Sequence, residues 1–160
     1  MRLSAEDTFR KYGDRIFSAA FSVCRNRADA DDVVQDTLIR YLSLDKEFES
    51  EEHLKAWLLR VAINRAKDIT SSFWRKNTVE WEDYMDDLAF EEPKDSHLFE
   101  AVMNLPEKYR AVIHLFYYED YAIEEIAVIL RRPAGTVKSQ LNRGRALLKN
   151  MLQEEWNDDE

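Results

Sequence analysis

Apolar residues recur at three- and four-residue intervals along most of this chain, the spacing of helices that bury one face. Phe9, Tyr12, Ile16, Phe17, Ala20 and Phe21 predict a first helix, with Asp14, Arg15 and Arg25 on other faces. Val33, Val34, Thr37, Leu38 and Tyr41 form the inner stripe of a second, from about Ala30 to Leu42. A polar, acidic connection from Asp45 to Glu52 follows. A third, longer helix then runs from about Glu52 to Ser71, with Leu54, Trp57, Leu58, Val61, Ala62 and Ile69 apolar. These stripes are core. From Asn77 to His97 no period is sustained, and a linker is expected, with a short helical turn around Trp81 to Leu88. A second block begins near Leu98. In Leu105-Pro106-Glu107, a proline suited to the first helical turn and an acid that complements the dipole mark a helix start. Ala111, Val112, Leu115, Phe116 and Tyr118 continue that helix.

Composition sharpens this to an all-α fold. Only three glycines and three prolines occur in 160 residues, too few for many tight turns, and a hydrophobic fraction of 45% excludes disorder throughout. Cys24 is the sole cysteine, so no internal disulfide forms; beside Phe21 and Val23 it is expected to pack as a small hydrophobe. No signal-peptide run and no stretch of membrane-spanning length are visible, so no membrane insertion and a cytoplasmic location are expected.

Charge changes the picture more. The net charge of −9 is unevenly spread. Lys55, Arg60, Arg65, Lys67, Arg75 and Lys76 face one acid, Asp68, and between Arg131 and Asn150 six basic residues face none. Between these islands, Asn77 to Glu100 holds nine acids against Lys94, and five more acids follow Met151. Basic islands of this kind are footprints for phosphate. Solvated helix faces are the plain alternative for either island taken alone.

The second island coincides with a helix-turn-helix pattern. Ile123, Ile126, Ala127 and Leu130 space a short helix; Arg131-Arg132-Pro133-Ala134-Gly135 makes the turn, where Pro133 can only open the next helix. Val137, Leu141, Gly144 and Leu148 line that helix's inner side, leaving Thr136, Lys138, Ser139, Gln140, Asn142, Arg143 and Arg145 outward. This suits a recognition helix. Ser139, Gln140 and Arg143 are the candidates for base edges, with glutamine pairing adenine and arginine guanine; Lys138, Arg145 and Lys149 are candidates for phosphates. A plain amphipathic surface helix would mix acids among these bases.

These residues resemble a known family, the extracytoplasmic-function sigma factors of the sigma-70 group. Leu105-Pro-Glu-Lys-Tyr-Arg-Ala-Val-Ile-His-Leu, Glu124-Glu-Ile-Ala and Gly135-Thr-Val-Lys-Ser are similar to that family's region 4, which reads the −35 element and touches the polymerase flap. Ala30-Asp-Asp-Val-Val-Gln-Asp-Thr-Leu-Ile-Arg is similar to the core-binding helix of region 2. Leu54-Lys-Ala-Trp-Leu-Leu-Arg-Val-Ala-Ile-Asn-Arg-Ala-Lys-Asp resembles the helix that recognises and melts the −10 element. The resemblance implies two small helical domains joined by an acidic linker: region 2 over 1–76, linker over 77–97, and region 4 over 98–153. It implies core-polymerase contacts at Asp31, Asp32, Val34, Gln35, Asp36 and Leu38. It implies −10 contacts to single-stranded DNA at Lys55, Arg60, Asn64, Arg65, Lys67 and Trp74, where Asn64 can hydrogen-bond an unstacked base and Trp74 can stack. Contacts to the −35 duplex fall to Arg132, Thr136, Lys138, Ser139, Gln140, Arg143 and Arg145. The loop from Lys46 to Glu52, where the family closes a base pocket, is acidic here at Glu47, Glu49, Glu51 and Glu52. A cognate anti-sigma factor is a further implied partner, for which Trp81, Tyr84, Met85 and Phe90 of the linker offer apolar contacts.

Several residues depart from the family pattern. Ala122 replaces a hydroxyl cap, costing about 1 kcal/mol; Arg131 replaces a glycine and is expected to need a left-handed backbone. Gln140 replaces an arginine, which unsettles the expected −35 sequence, and Gly144 replaces an alanine, loosening the recognition helix by up to ~1 kcal/mol. No nucleotide-binding glycine loop, nucleophile elbow or metal-ligand spacing occurs, and His53, His97 and His114 stand apart. No catalytic residue, cofactor or metal is therefore expected, and no enzyme. The expected function is that of an alternative sigma factor directing core RNA polymerase to promoters. An ordinary dimeric repressor or activator would explain only the second block, and a helical adaptor would use both islands on acidic proteins.

Overall fold

The computed structural model describes residues 2–72 and 96–158; Trp74 and the linker aromatics lie outside them. The described residues are helical and fall into two units, one ahead of the linker and one after it.

The first unit packs α1 (Ala5–Cys24), α2 (Arg27–Ser43) and α3 (Glu51–Ser72). Ser4 starts α1 by accepting the Asp7 N–H at 3.1 Å, and Arg25 ends it in a left-handed conformation with φ 52°. Asn26 accepts the Asp29 N–H at 2.8 Å, and this cap starts α2 earlier than its apolar stripe suggested. The interior holds Ile16, Ala20, Phe21, Val33, Tyr41, Leu54, Leu58 and Ala62, all from the expected stripes. Leu59, Ile63 and Ala66 are buried too, because α3 packs against both α1 and α2 and so hides a wide arc. The start of α3 is tied to α1: Glu51 accepts from the Tyr12 hydroxyl at 3.1 Å and from the Lys11 ammonium. Burial, then the Glu51 carboxylate, push the Tyr12 hydroxyl up to about 12. Two expectations fail. Phe9 is 56% exposed although it shares the face of Ile16 and Ala20, its ring lying over Gly13 near the start of α1, and Cys24 is only half-buried because it ends its helix.

The second unit consists of α4 (Ser96–Met103), α5 (Glu107–Ile113), α6 (Ile123–Leu130) and α7 (Ala134–Asp158). Pro106 sits one position outside α5, its carbonyl accepting from Tyr109 at 3.0 Å. At His114 the helix widens into a π-helical turn to Tyr118, closed by the Glu119 N–H on the His114 carbonyl at 3.3 Å. His114 is buried in this turn, stacked on Tyr118 at 5.3 Å. Helix α7 is packed down through Val137, Leu141, Gly144 and Leu148, the inner side its sequence predicted. A Cβ on Gly144 would lie 3.2 Å from Ile113 Cδ1 and 3.4 Å from Tyr109 Cβ, so glycine here lets α5 and α7 approach closely. Among the described residues, no helix is long and apolar enough to cross a membrane.

Candidate nucleic-acid interfaces

In the second unit, α6 and α7 form the expected helix-turn-helix. Ala122 brings no side-chain acceptor to the start of α6, yet Glu125 reaches back to accept the Ala122 N–H at 2.8 Å, which recovers half of a capping box. Arg131 takes the left-handed conformation, φ 55° and ψ 49°, with the Arg132 N–H closing on the Ala127 carbonyl at 3.1 Å. A side chain there costs about 1 kcal/mol relative to glycine. Helix α7 follows at once, with the Val137 N–H bonded to the Pro133 carbonyl at 3.1 Å.

Helical spacing, ~100° per residue, divides the outward residues of α7 between two flanks. Thr136, Ser139, Gln140 and Arg143 fall on one flank, where with Lys108, Tyr109, Pro133 and Gly135 they line a groove of about 460 Å³. Thr136, Ser139 and Arg143 are exposed, as a base-reading set must be. Gln140 is half-buried, and its side-chain oxygen accepts from Arg132 Nη1 at 2.8 Å. Arg132 also donates to the Lys108 carbonyl at 3.2 Å, and burial holds its pKa below the usual arginine value.

Lys138, Arg145 and Lys149 fall on the other flank, apart from the base-reading set. Lys138 is exposed. Arg145 donates from Nε to the Tyr117 hydroxyl at 2.6 Å, and its guanidinium lies 5.1 Å from the Phe116 ring centre. This clamp ties α7 to the π-helical turn, a contact no sequence spacing signals; arginines stack readily on aromatic faces. Arg145 and Lys149 border a second, apolar groove of about 710 Å³, lined by Leu98, Val102, Tyr117 and Tyr118 among others.

In the first unit, the same wheel puts Arg60, Asn64 and Lys67 on one face of α3, opposite the buried residues Leu58, Ala62 and Ala66. The remaining −10 candidates separate from them. Lys55 is 8% exposed, because it falls between Leu54, Leu58 and Leu59 on the packed face, so it does not join a surface that could meet DNA. Arg65 turns to α2, donating from Nε to Asp36 at 2.8 Å, and this bond raises its pKa. Trp74 lies outside the described residues. In the acidic loop, Phe48 is buried, packed edge-on to Trp57 at 5.6 Å, with Lys46 over its ring at 5.4 Å.

Helix α2 shows a mixed outer face. Asp31, Asp32 and Gln35 are exposed there, whereas Asp36 is engaged with Arg65. Val34 is 6% exposed and Leu38 half-buried, so Val34 belongs to the bundle interior and not to a contact surface. Two apolar residues missed in the sequence take its place: Ile39, 60% exposed, and Leu42, 57% exposed. Their spacing from Gln35, four and seven residues, is the signal the sequence carries, overshadowed by the longer inward stripe. Among the described residues, no group of three His, Cys, Asp or Glu is placed to hold a metal ion.

Both units match known proteins. Residues 8–79 match the family Sigma-70 region 2, and residues 98–148 match Sigma-70, region 4. RNA polymerase sigma factor SigV of Bacillus subtilis is 30% identical over 141 residues, spanning 87% of this chain and 85% of its own. ECF RNA polymerase sigma factor EcfG of Rhodopseudomonas palustris is 32% identical over 142 residues, spanning 83% of this chain and 76% of its own. CnrH, solved in complex with the cytosolic domain of CnrY, superposes with a TM-score of 0.68 at 25% identity, covering 94% of this chain and 88% of CnrH. The sigma factor RpoE of Bartonella quintana, solved with the anti-sigma factor NepR, shares the fold at a TM-score of 0.67 and 21% identity, covering 92% of this chain and 96% of its own. The chain belongs to the extracytoplasmic-function RNA polymerase sigma factors of the sigma-70 family.

Proposed function

We propose that this sigma factor divides promoter recognition between its two units, with residues 1–76 binding core polymerase and the −10 element, 77–97 linking, and 98–153 reading the −35 duplex. The observation that carries the proposal is the separation of flanks on α7: Thr136, Ser139 and Arg143 stand exposed along one side of a helix whose inner side is packed. A helix presented this way enters the major groove with base-reading side chains on one flank and Lys138 on another for phosphate. On α3, Arg60 and Lys67 take backbone phosphates of the opened strand while Asn64 pairs with an extruded base. Extrusion costs a few kcal/mol per base unless such contacts replace the lost stacking.

On α2, Asp31, Asp32 and Gln35 around exposed Ile39 and Leu42 suit a partner with an apolar centre and a basic rim, and we assign this face to core polymerase. The chemistry of polymerisation belongs to the core enzyme, and the chain acts in the cytoplasm with it. CnrH and RpoE were each solved with a partner, in the second case an anti-sigma factor, and a cognate inhibitor of that kind is part of the proposal.

A forked promoter template, duplex at −35 and single-stranded at −10, tests the division directly with core-loaded protein. Asn64→Ala is expected to weaken binding to the fork and leave a −35 duplex fragment unaffected, whereas Arg143→Ala weakens binding to both, since the fork carries the same −35 duplex. A loss on the duplex fragment for Asn64→Ala, or none there for Arg143→Ala, contradicts the assignment.

A further inference from the structure

The bond from Arg132 to Gln140 decides how the recognition helix can read a base. A free glutamine amide presents either its oxygen or its NH₂ group outward, because the two ends are nearly equal in size. Arginine carries donors and no acceptor, so only the amide oxygen of Gln140 can lie 2.8 Å from Arg132 Nη1. Arg132 is itself held by the Lys108 carbonyl at 3.2 Å and half-buried, so the pair is ordered without DNA. The hydrogen bond is charge-assisted and therefore stronger than one between neutral groups.

We propose that Arg132 is a positioning residue that fixes the Gln140 amide as a hydrogen-bond donor, and that this sigma factor thereby selects guanine over adenine at the base facing Gln140. The proposal rests on the −35 assignment above. Glutamine usually takes adenine through two bonds, its oxygen accepting from N6 and its NH₂ donating to N7. Here the oxygen is committed to Arg132 and that double contact is disfavoured. Guanine offers N7 and O6, both acceptors, to the two hydrogens of the amide. The groove beside Gln140, lined also by Thr136, Ser139 and Arg143, leaves that NH₂ beside the base-reading set.

The test is selection of −35 sequences from a randomised duplex library by holoenzyme assembled from core polymerase and the full chain. Wild-type protein is expected to enrich guanine over adenine about tenfold at one position, the size of one good base contact. Gln140→Ala flattens that position alone. Arg132→Met, which keeps the apolar stem, restores adenine there and leaves the other positions and the salt dependence unchanged. Arg132→Lys retains a donor for the amide oxygen and retains guanine. If Arg132→Met lowers affinity for all sequences alike and reduces the salt slope by about one, Arg132 is a phosphate contact and the proposal fails. If Gln140→Ala changes a position that Arg132→Met leaves untouched, the proposal fails while the −35 assignment stands. If neither Gln140→Ala nor Arg143→Ala changes any position, the −35 assignment fails and takes the proposal with it.

Discussion

Acid should loosen the DNA-reading unit through one residue, His114. Its imidazole is buried in the π-helical turn, its Nε2 has no hydrogen-bond partner, and burial pushes its pKa from 6.5 down to about 4. Above pH 6.5 the ring is neutral folded or unfolded and stability is unaffected. As pH falls from 6.5 towards 4, the unfolded chain takes up a proton that the folded chain refuses, so stability drops. At pH 5 the difference amounts to about 2 kcal/mol, and it levels off near 3 kcal/mol below pH 4, at 1.36 kcal/mol per pH unit. Hydrogen exchange of peptides from residues 96–153 measures this unit within the whole chain, at pH 5 and at pH 7.5 with rates corrected for intrinsic exchange. His114→Phe fills the stacked site on Tyr118 without a titrating group. Wild type should lose about 2 kcal/mol of protection more than the variant between the two pH values. The same pH response in both proteins would refute a neutral, buried His114.

Other expectations follow from single contacts. Gly144→Ala gains up to ~1 kcal/mol of helix propensity but presses a methyl against Ile113 and Tyr109, so denaturant unfolding should find it nearly neutral. Gly144→Ile overpacks the same site and should cost about 1–3 kcal/mol in that experiment. Arg143→Ala should cost about 1–3 kcal/mol in promoter affinity and relax one −35 position, while Lys138→Ala weakens all sequences alike and lowers the salt slope by about one, measured by filter binding of holoenzyme. Ile39→Asp should reduce affinity for core polymerase about tenfold with no loss of helix content, since the residue is already 60% exposed. Titration of labelled protein with core measures that loss.

The helix-turn-helix was legible because its constraints are local. The apolar positions Ile123, Ile126 and Leu130 share one face, and their helix ends where Arg131 must turn left-handed, as its place in the family pattern indicated. Charge counting was less informative about faces. Lys55 and Arg60 belong to one basic island, yet five residues of helix carry them to opposite sides, one into the bundle and one outward. Arg65 counted as a free cation until the fold brought Asp36 of another helix within 2.8 Å. Long-range pairs were invisible for the same reason. Gly144 looked like a defect in a helix that prefers alanine, and became a packing residue only when Ile113 and Tyr109 arrived from α5. The Arg132 to Gln140 bond crosses the turn between two helices and depends on how far the side chains fold back. No spacing rule reports that.

Run-off transcription with purified core polymerase on a library of bacterial promoter fragments tests the central claim most directly. Added wild-type chain should create start sites absent with core alone, sharing −35 and −10 sequences, and Arg143→Ala should lower their yield, as should Ile39→Asp, by up to about tenfold at limiting protein. A chain that binds core yet directs no new start sites, or that directs them equally well with Arg143→Ala and Ile39→Asp, contradicts the account.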